Sequence, residues 1–319
     1  MLLLTPEKFS DYELIDCGDF EKLERFGQYI TIRPEPQAVW NKKLSPSEWE
    51  KTAHVKFIQG SNNAGEWKKL KQMPDRWNIT YQVSSIKSKK ENNSQLSTFN
   101  FKLSLTSFKH VGVFPEQAVN WDYIYDSIHN LFTSPLNPLS QGRGEKAMGV
   151  VRGEVKFLNL FAYTGAASLA AKAAGADVTH LDSIKQVVTW ARENMELSGL
   201  KDIRWIVEDA LKFVKREVKR GNKYNGIILD PPAYGNGPDG EKWKLEENIS
   251  EMMHNVLQLL DEEKHFLILN AYSLGFSSLV IENLLKGTAK DKLETGELYL
   301  QSKTNLKLPL GVFGRFRNF

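Results

Sequence analysis

From Val155 to Leu285, short apolar runs alternate with longer stretches in which apolar residues recur every three or four positions. The short runs read as strands and the longer stretches as helices. Strands are expected at Val155–Leu160, Asp177–Leu181, Ile203–Val207, Gly226–Leu229 and His265–Leu269. Helices are expected at Ala166–Ala174, Lys185–Ser198, Ala210–Arg220, Glu247–Leu260 and Ser277–Leu285, with Gly199 and Gly221 as stop signals. Such alternation implies a parallel sheet covered by helices on both faces. Leu293–Leu300 and Val312–Phe319 have no clear helix between them, so they are expected to close the sheet as an antiparallel pair at its edge. The expected fold class is α/β, a Rossmann-like sheet that is parallel with an antiparallel closing strand.

The front of the chain has a different rhythm. Tyr29–Ile32, Trp77–Val83 and Phe99–Leu105 alternate apolar and polar residues, the mark of half-buried strands. A helix is expected near Pro46–Ala53. We therefore expect a small β-rich N-terminal domain over 1–105 and an α/β domain over 106–319, the latter interrupted by a flexible, Pro-, Ser- and Gly-broken loop over 134–153. Trp40, Trp49, Trp67 and Trp77 all lie in the N-terminal part. They suit packing of a small core better than a base-stacking surface. The polar run Ser84–Ser97, with Lys87, Lys89 and Lys90, reads as a solvated hairpin tip.

Composition narrows the class. Apolar residues make up 41% and charged residues 25% of the 319, ordinary values for a globular protein, and the net charge of +3 neither requires nor excludes a nucleic-acid partner. The single cysteine, Cys17, cannot form an internal disulfide and suits a reducing compartment. No apolar run is long enough to span a membrane and the start lacks a basic leader, so a cytoplasmic location without membrane partner is expected. The six histidines are scattered, so no metal site is expected. The oligomeric state is left open.

In a sheet of this kind ligands bind beyond the carboxyl ends of the strands. The residues there are Phe161-Ala162-Tyr163-Thr164-Gly165, Asp182, Asp209 and Asp230-Pro231-Pro232. A dinucleotide turn needs three glycines to bring backbone against a pyrophosphate. This turn has only Gly165, which argues against a dehydrogenase and suits a ligand without phosphate, such as S-adenosylmethionine. Asp182 can accept hydrogen bonds from ribose hydroxyls and Asp209 from an adenine amino group. Each alone reads equally as a helix N-cap; together, behind the glycine turn, they favour a ligand. After Asp230, two prolines deny both helix and ladder, leaving carbonyls free to point into the site. With Asp230 these would accept hydrogen bonds from a substrate amino or imino group, and Tyr234 would stack on a flat base. The competing reading is an ordinary proline-stiffened loop.

Together, Phe157–Gly165, Asp182, Asp209 and Asp230–Tyr234 resemble the class I S-adenosylmethionine-dependent methyltransferases. Within them the chain looks like the large-subunit ribosomal RNA methyltransferase group with an Asp-Pro-Pro-x-aromatic motif. Trp190-Ala191-Arg192-Glu193-Asn194 is similar to that group's second helix, and Phe108–Gln117 to the segment packed beside the cofactor. The resemblance implies that Tyr163, Thr164 and Gly165 line the methionine end, that Asp182 holds the ribose and Asp209 the adenine, and that Asp230 faces the methyl group. Phe161, Ala162, Ser183, Ala210, Lys109 and Gln117 complete the implied cofactor set, and Asp230, Pro231 and Tyr234 the implied catalytic set.

Some relatives methylate carbon 5 of cytosine, which requires a cysteine nucleophile after strand five. Here that place reads Leu269-Asn270-Ala271-Tyr272-Ser273, and Cys17 lies in the other domain. The expected acceptor is therefore a base nitrogen of ribosomal RNA. Two basic clusters, Lys212, Arg216, Lys219 and Lys223, and Lys303, Lys307, Arg315 and Arg317, are candidate phosphate contacts. A methyltransferase of a protein or small molecule, and a non-catalytic RNA-binding relative, remain as alternatives.

Overall fold

The computed structural model describes residues 1–60, 64–83, 97–133, 155–273, 275–287 and 292–319. The polar run with Lys87, Lys89 and Lys90, and the loop expected over 134–153, lie outside them.

After a short strand β1 (Leu2–Leu4), the chain builds a five-stranded sheet from β2 (Tyr12–Gly18), β3 (Glu21–Phe26), β4 (Tyr29–Pro34), β5 (Val55–Gln59) and β6 (Gly65–Lys69), in that spatial order. Only β4 and β5 pair in parallel, and the connection between them carries α1 (Pro46–Thr52). That helix begins on a capping box. Ser45 Oγ accepts from the Glu48 amide, Glu48 accepts from the Ser45 amide, and Pro46 pre-sets the first turn.

A separate hairpin follows, of β7 (Arg76–Gln82) and β8 (Thr98–Ser104). Trp77, Ile79 and Tyr81 face Leu103, Phe101 and Phe99 across the pair, and all six are buried. A lone hairpin is marginal in water, so the cover decides. It comes from α2 (Ala118–Thr133), whose Trp121 lies 5.1 Å from the Tyr81 ring and 5.4 Å from that of Phe101, centre to centre. The N-terminal tryptophans are packed, as their composition suggests. Trp49 and Trp77 are buried and Trp40 and Trp67 are half-buried. Their indole N–H groups donate to Asp16, the Phe26 carbonyl, the Cys17 carbonyl and the Thr106 carbonyl respectively.

The α/β unit then runs β9 (Lys156–Leu160), α3 (Ala166–Ala173), β10 (Asp177–Asp182), α4 (Lys185–Leu197), β11 (Ile203–Val207), α5 (Ala210–Lys219) and β12 (Gly226–Leu229). A small hairpin, β13 (Tyr234–Asn236) and β14 (Lys242–Lys244), precedes α6 (Leu245–Gln258), β15 (Phe266–Ala271), α7 (Ser278–Leu285), β16 (Glu294–Gln301) and β17 (Lys307–Arg317). The eight-stranded order is β1-β16-β17-β15-β12-β9-β10-β11. Every residue of β12 and β15 is buried, as expected of central strands covered on both faces. The α/β class and the β-rich N-terminal sheet are as the patterning predicts.

The tail forms the expected antiparallel pair, β16 with β17, but the pair does not end the sheet: β17 sits between β15 and β16, and β1 takes the edge in parallel with β16. The chain's first strand thus completes the sheet built by its last. Strand order reverses between β9 and β12, and the cavity described next opens above that switch point.

Candidate functional site

A cavity of about 1530 Å³ lies over the carboxyl ends of β9, β10, β12 and β15, with a second wall from β3, β4 and the segment before α2. Its floor is the turn after β9. Phe161 and Tyr163 adopt positive φ of 55° and 50°, and Gly165 has 90°. Two non-glycine residues in this region store strain, which the surroundings must hold. Ala162 N–H donates to the Leu181 carbonyl, Tyr163 N–H to Asp182 Oδ2 at 2.9 Å, and Gly165 N–H to the Ala162 carbonyl. Thr164 donates its hydroxyl to the Gly112 carbonyl at 2.6 Å, and its own carbonyl accepts from Asn194. It is buried, and it ties the turn to the incoming segment. Gly165 itself is set by helix packing, since a Cβ there would lie 3.0 Å from that of Ala191.

Asp182 is at the end of β10 and lines the cavity with Ser183. Burial pushes its carboxyl up, opposed by the amides of Ile184, Tyr163 and Ser183. It caps no helix; the N-cap of α4 is Ile184. Asp209 does cap α5, accepting from the Lys212 amide at 2.8 Å, and neither it nor buried Ala210 reaches the cavity wall. Of the two aspartates that sequence reading leaves ambiguous, one thus faces the cavity and the other serves as a cap.

Asp230, past β12, lines the cavity, where burial pushes its carboxyl up to about 7. Gln117 donates to its Oδ2 at 3.1 Å. Pro231 is buried on the wall and Tyr234 stands exposed on the rim. The carbonyl of Pro232 is not free, as the proline pair suggests. It accepts from the indole of Trp243 on β14 at 2.7 Å, and that ring packs 4.9 Å from Phe161. The β13–β14 hairpin thereby braces the turn.

The second wall is charged. Glu24, fully buried, binds Arg33 at 2.7 Å and accepts from the Tyr12 hydroxyl. Lys22 lies 3.2 Å from Glu35, which also accepts from the Tyr272 hydroxyl. Lys109 lines the cavity. Its ammonium has only a long contact, 3.4 Å, to the Pro34 carbonyl, and burial pulls its pKa down. His110 is held neutral, lowered to about 3 by burial and by the Arg33, Lys109 and Lys22 cations. Glu116 is buried and raised to about 7 by desolvation.

Several wall residues escape sequence reading: Lys22, Arg33, Glu35, Glu116 and Ile184. Glu35 and Glu116 carried one signal, a carboxylate next to proline in Arg33-Pro34-Glu35-Pro36 and Pro115-Glu116. Ile184 carried none.

Both basic clusters are largely occupied. Lys212 pairs with Glu241, Arg216 with Glu208, Lys223 with Glu262, Lys303 with Glu13 and Arg315 with Glu294. Among the described residues no group of His, Cys, Asp and Glu is placed to hold a metal ion, and no helix is long and apolar enough to cross a membrane.

Comparison with known proteins fits this geometry. Residues 146–273 match a family profile described as Conserved hypothetical protein 95. A ribosomal RNA large subunit methyltransferase K/L from Shewanella frigidimarina is 30% identical over 174 residues, which are 53% of this chain but 21% of that protein. The chain thus spans about a fifth of that relative. SMU.776, described as a methyltransferase and solved with S-adenosylhomocysteine, shares the fold with a TM-score of 0.66 at 15% identity, over 97% of this chain and 76% of that one. A crystal structure of a methyltransferase from Agrobacterium tumefaciens, dependent on S-adenosylmethionine, aligns over 99% of this chain and 93% of its own, with a TM-score of 0.80 and 32% identity. A likeness of that depth over nearly the whole of both chains shows that this protein belongs to the S-adenosylmethionine-dependent methyltransferases.

Proposed function

We propose that the chain methylates a base nitrogen of ribosomal RNA, with Asp230 as the group that holds and deprotonates the acceptor. The observation that carries this is the position of Asp230. It is a half-buried residue at the start of a stiff Pro-Pro turn, its desolvated carboxyl lining the same cavity as the turn after β9 and the charged second wall.

S-adenosylmethionine supplies a methyl carbon bonded to a sulfonium, a good electrophile with a neutral leaving group. The protein's part is to align and desolvate. The strained turn Phe161–Gly165 offers a close backbone segment for the methionine end, and Asp182, still with lone pairs facing the cavity, accepts from the ribose hydroxyls. Lys109, a half-buried ammonium with no carboxylate within ion-pair distance among the described residues, suits the cofactor's own carboxylate. Ile184, half exposed beside Asp182, offers an apolar face for the adenine. Asp209 and Ala210 act at one remove, by fixing the start of α5.

On the acceptor side, Asp230 accepts a hydrogen bond from an amino or imino N–H and takes its proton as the nitrogen gains the methyl group. A carboxyl near 7 is poised for that at neutral pH. Tyr234, exposed on the rim, stacks on the base. Carbon 5 of a pyrimidine is disfavoured because the wall at the end of β15 carries Asn270, Tyr272 and Ser273, not a thiol. Cys17 is fully buried outside the cavity and raised to about 11 by burial. The names of the curated relatives support ribosomal RNA as the acceptor.

The test is transfer from radiolabelled S-adenosylmethionine to undermodified ribosomal RNA, total protein and small metabolites, with nucleosides of labelled RNA resolved by mass spectrometry. Label on a base nitrogen, lost by about 100-fold or more in Asp230→Asn with retained S-adenosylhomocysteine affinity, is the expected result. Label confined to protein or metabolites, or at pyrimidine carbon 5, would overturn it.

A further inference from the structure

We propose that Asn120 and Asn270 are positioning residues that hold the Asp230 carboxylate toward the acceptor through Gln117. The inference rests on the reading of Asp230 given above, and concerns two asparagines that do not touch that carboxylate themselves.

The ionised carboxylate only accepts hydrogen bonds. Gln117 must therefore turn its amide nitrogen to Asp230 Oδ2, at 3.1 Å. Its carbonyl oxygen is thereby aimed at α2, where Asn120 Nδ2 donates to it at 2.8 Å. The same nitrogen donates to Asn270 Oδ1 at 3.1 Å. Direction is imposed from one end. Reversing any of the three amides would set two oxygens, or two amino groups, against each other. Gln117 lies in a single 3₁₀ turn (Pro115–Gln117), Asn120 three residues on in α2, and Asn270 on β15. The relay therefore locks the turn, the helix and two central strand ends into one arrangement around Asp230.

A packing role alone does not account for these residues. Asn120 is fully buried and Asn270 is 1% exposed. Yet Asn120 Oδ1 and Asn270 Nδ2 have no hydrogen-bond partner among the described residues. Two apolar side chains would fill this place without stranding polar atoms. The amides serve the carboxylate end of the chain, where the donated bond stabilises the charged form. Other charges bearing on this corner include Glu116 on the same turn, which repels Asp230, and Lys22 and Glu24 across the cavity, which act on Glu116 with opposite sign. None of these charges lies in the relay, so removing an asparagine leaves all of them in place.

The experiment follows the Asp230 carboxyl by carbon-13 NMR titration of aspartate-labelled, full-length protein, its resonance assigned with Asp230→Asn. Melting and S-adenosylhomocysteine calorimetry run in parallel. Asn120→Ala should move the Asp230 midpoint up by about one pH unit and lower kcat/KM for undermodified ribosomal RNA about tenfold at neutral pH, with S-adenosylhomocysteine affinity changed less than about twofold. Asn270→Ala should move the midpoint the same way by less, and the double variant no further than Asn120→Ala, because the two act in series. In the wild type, the Gln117 side-chain amide protons should exchange slowly while Asp230 is ionised. This readout needs no variant to fold. An unmoved midpoint in folded Asn120→Ala, or free exchange of the Gln117 amide in the wild type, would overturn the relay. A shifted midpoint in a protein that methylates no RNA would uphold it and remove the proposed acceptor instead.

Discussion

The hydroxyl of Tyr272, at the end of β15, donates to Glu35 Oε1, just past β4, at 2.5 Å across 237 positions of chain. This bond joins the α/β sheet to the N-terminal sheet at the rim of the cavity. Burial would push Glu35 up, but the Lys22 ammonium and the Tyr272 hydroxyl hold it below the usual carboxylate range. Tyr272→Phe removes one donor and leaves the other. Tyr272 is 38% exposed, so water replaces part of the bond, and a cost of about 1 kcal/mol in urea unfolding is expected. If the second wall reads the acceptor, the variant should raise KM for RNA and leave S-adenosylhomocysteine affinity unchanged. Equal losses of both would remove Glu35 and Tyr272 from the acceptor side.

Stability should fall with rising pH where the site's acids ionise. Asp230 and Glu116 are both raised to about 7, the first by burial and the second chiefly so. Their folded pKa values lie above the unfolded ones, so the folded chain binds more protons between them. The stabilising contribution is complete below about pH 4 and is lost as pH rises through about 7. Asp230→Asn should therefore match the wild type in stability below about pH 4, pull ahead of it from there up to about pH 7, and be more stable at pH 8.5 by on the order of 1–4 kcal/mol. A wild type that is more stable at pH 8.5 than the variant would show that Asp230 is compensated in a way its surroundings do not suggest.

Gly112 carries the turn's support. Its φ is 114°, and an added Cβ would fall 2.3 Å from Trp190 Cζ2, a ring anchored by its own bond to the Lys102 carbonyl. The Gly112 carbonyl accepts from Thr164. Gly112→Ala should cost roughly 2–4 kcal/mol and weaken S-adenosylhomocysteine binding, because displacing the segment loosens the turn after β9. Trp190→Leu in the same chain should recover part of the stability by making room. Calorimetry and denaturant unfolding measure both, and an alanine variant with unchanged stability would sink the argument.

What the sequence reveals, and what it hides, follows from which forces act locally. The strands β9 to β12 and β15 are legible because short, largely apolar runs bounded by turn residues alternate with helical periodicity. α2 is not, because Ala118–Thr133 is rich in Asn, Asp, Ser, Tyr and Trp, poor helix formers; packing of Trp121, Ile124, Ile128 and Leu131 decides it. The edge role of Leu2–Leu4 depends on a partner almost the whole chain away. At the site, Asp182 and Asp230 are legible as strand-end carboxylates. Asp209 looks the same in sequence, and only three dimensions separate a cap from a ligand position. The Pro232 carbonyl looks free because its partner, Trp243, reaches it through a hairpin that nothing in the local pattern announces.

Cys17 tests the choice of acceptor atom. It is fully buried on β2 of the N-terminal sheet, and its carbonyl accepts from Trp40. Cys17→Ser should cost on the order of 1 kcal/mol for a hydroxyl in an apolar place and leave methyl transfer within about twofold of wild type. A folded, cofactor-binding variant without activity would make the thiol a nucleophile and reopen pyrimidine carbon 5.

The basic side chains on α5 and the tail offer the last test, since sequence alone marks them as phosphate contacts. Lys212 is paired with Glu241, and Lys303 lies 2.8 Å from Glu13. A lysine already paired gains little from a phosphate, because the new bond replaces an old one and strands a carboxylate. Lys212→Ala and Lys303→Ala should therefore leave the salt dependence of RNA affinity unchanged, whereas a true phosphate contact would flatten the slope by about one on removal. RNA affinity for each variant is measured across a salt series. A flattened slope for either would show that its ion pair opens when RNA binds and would extend the RNA footprint from the cavity rim onto that face.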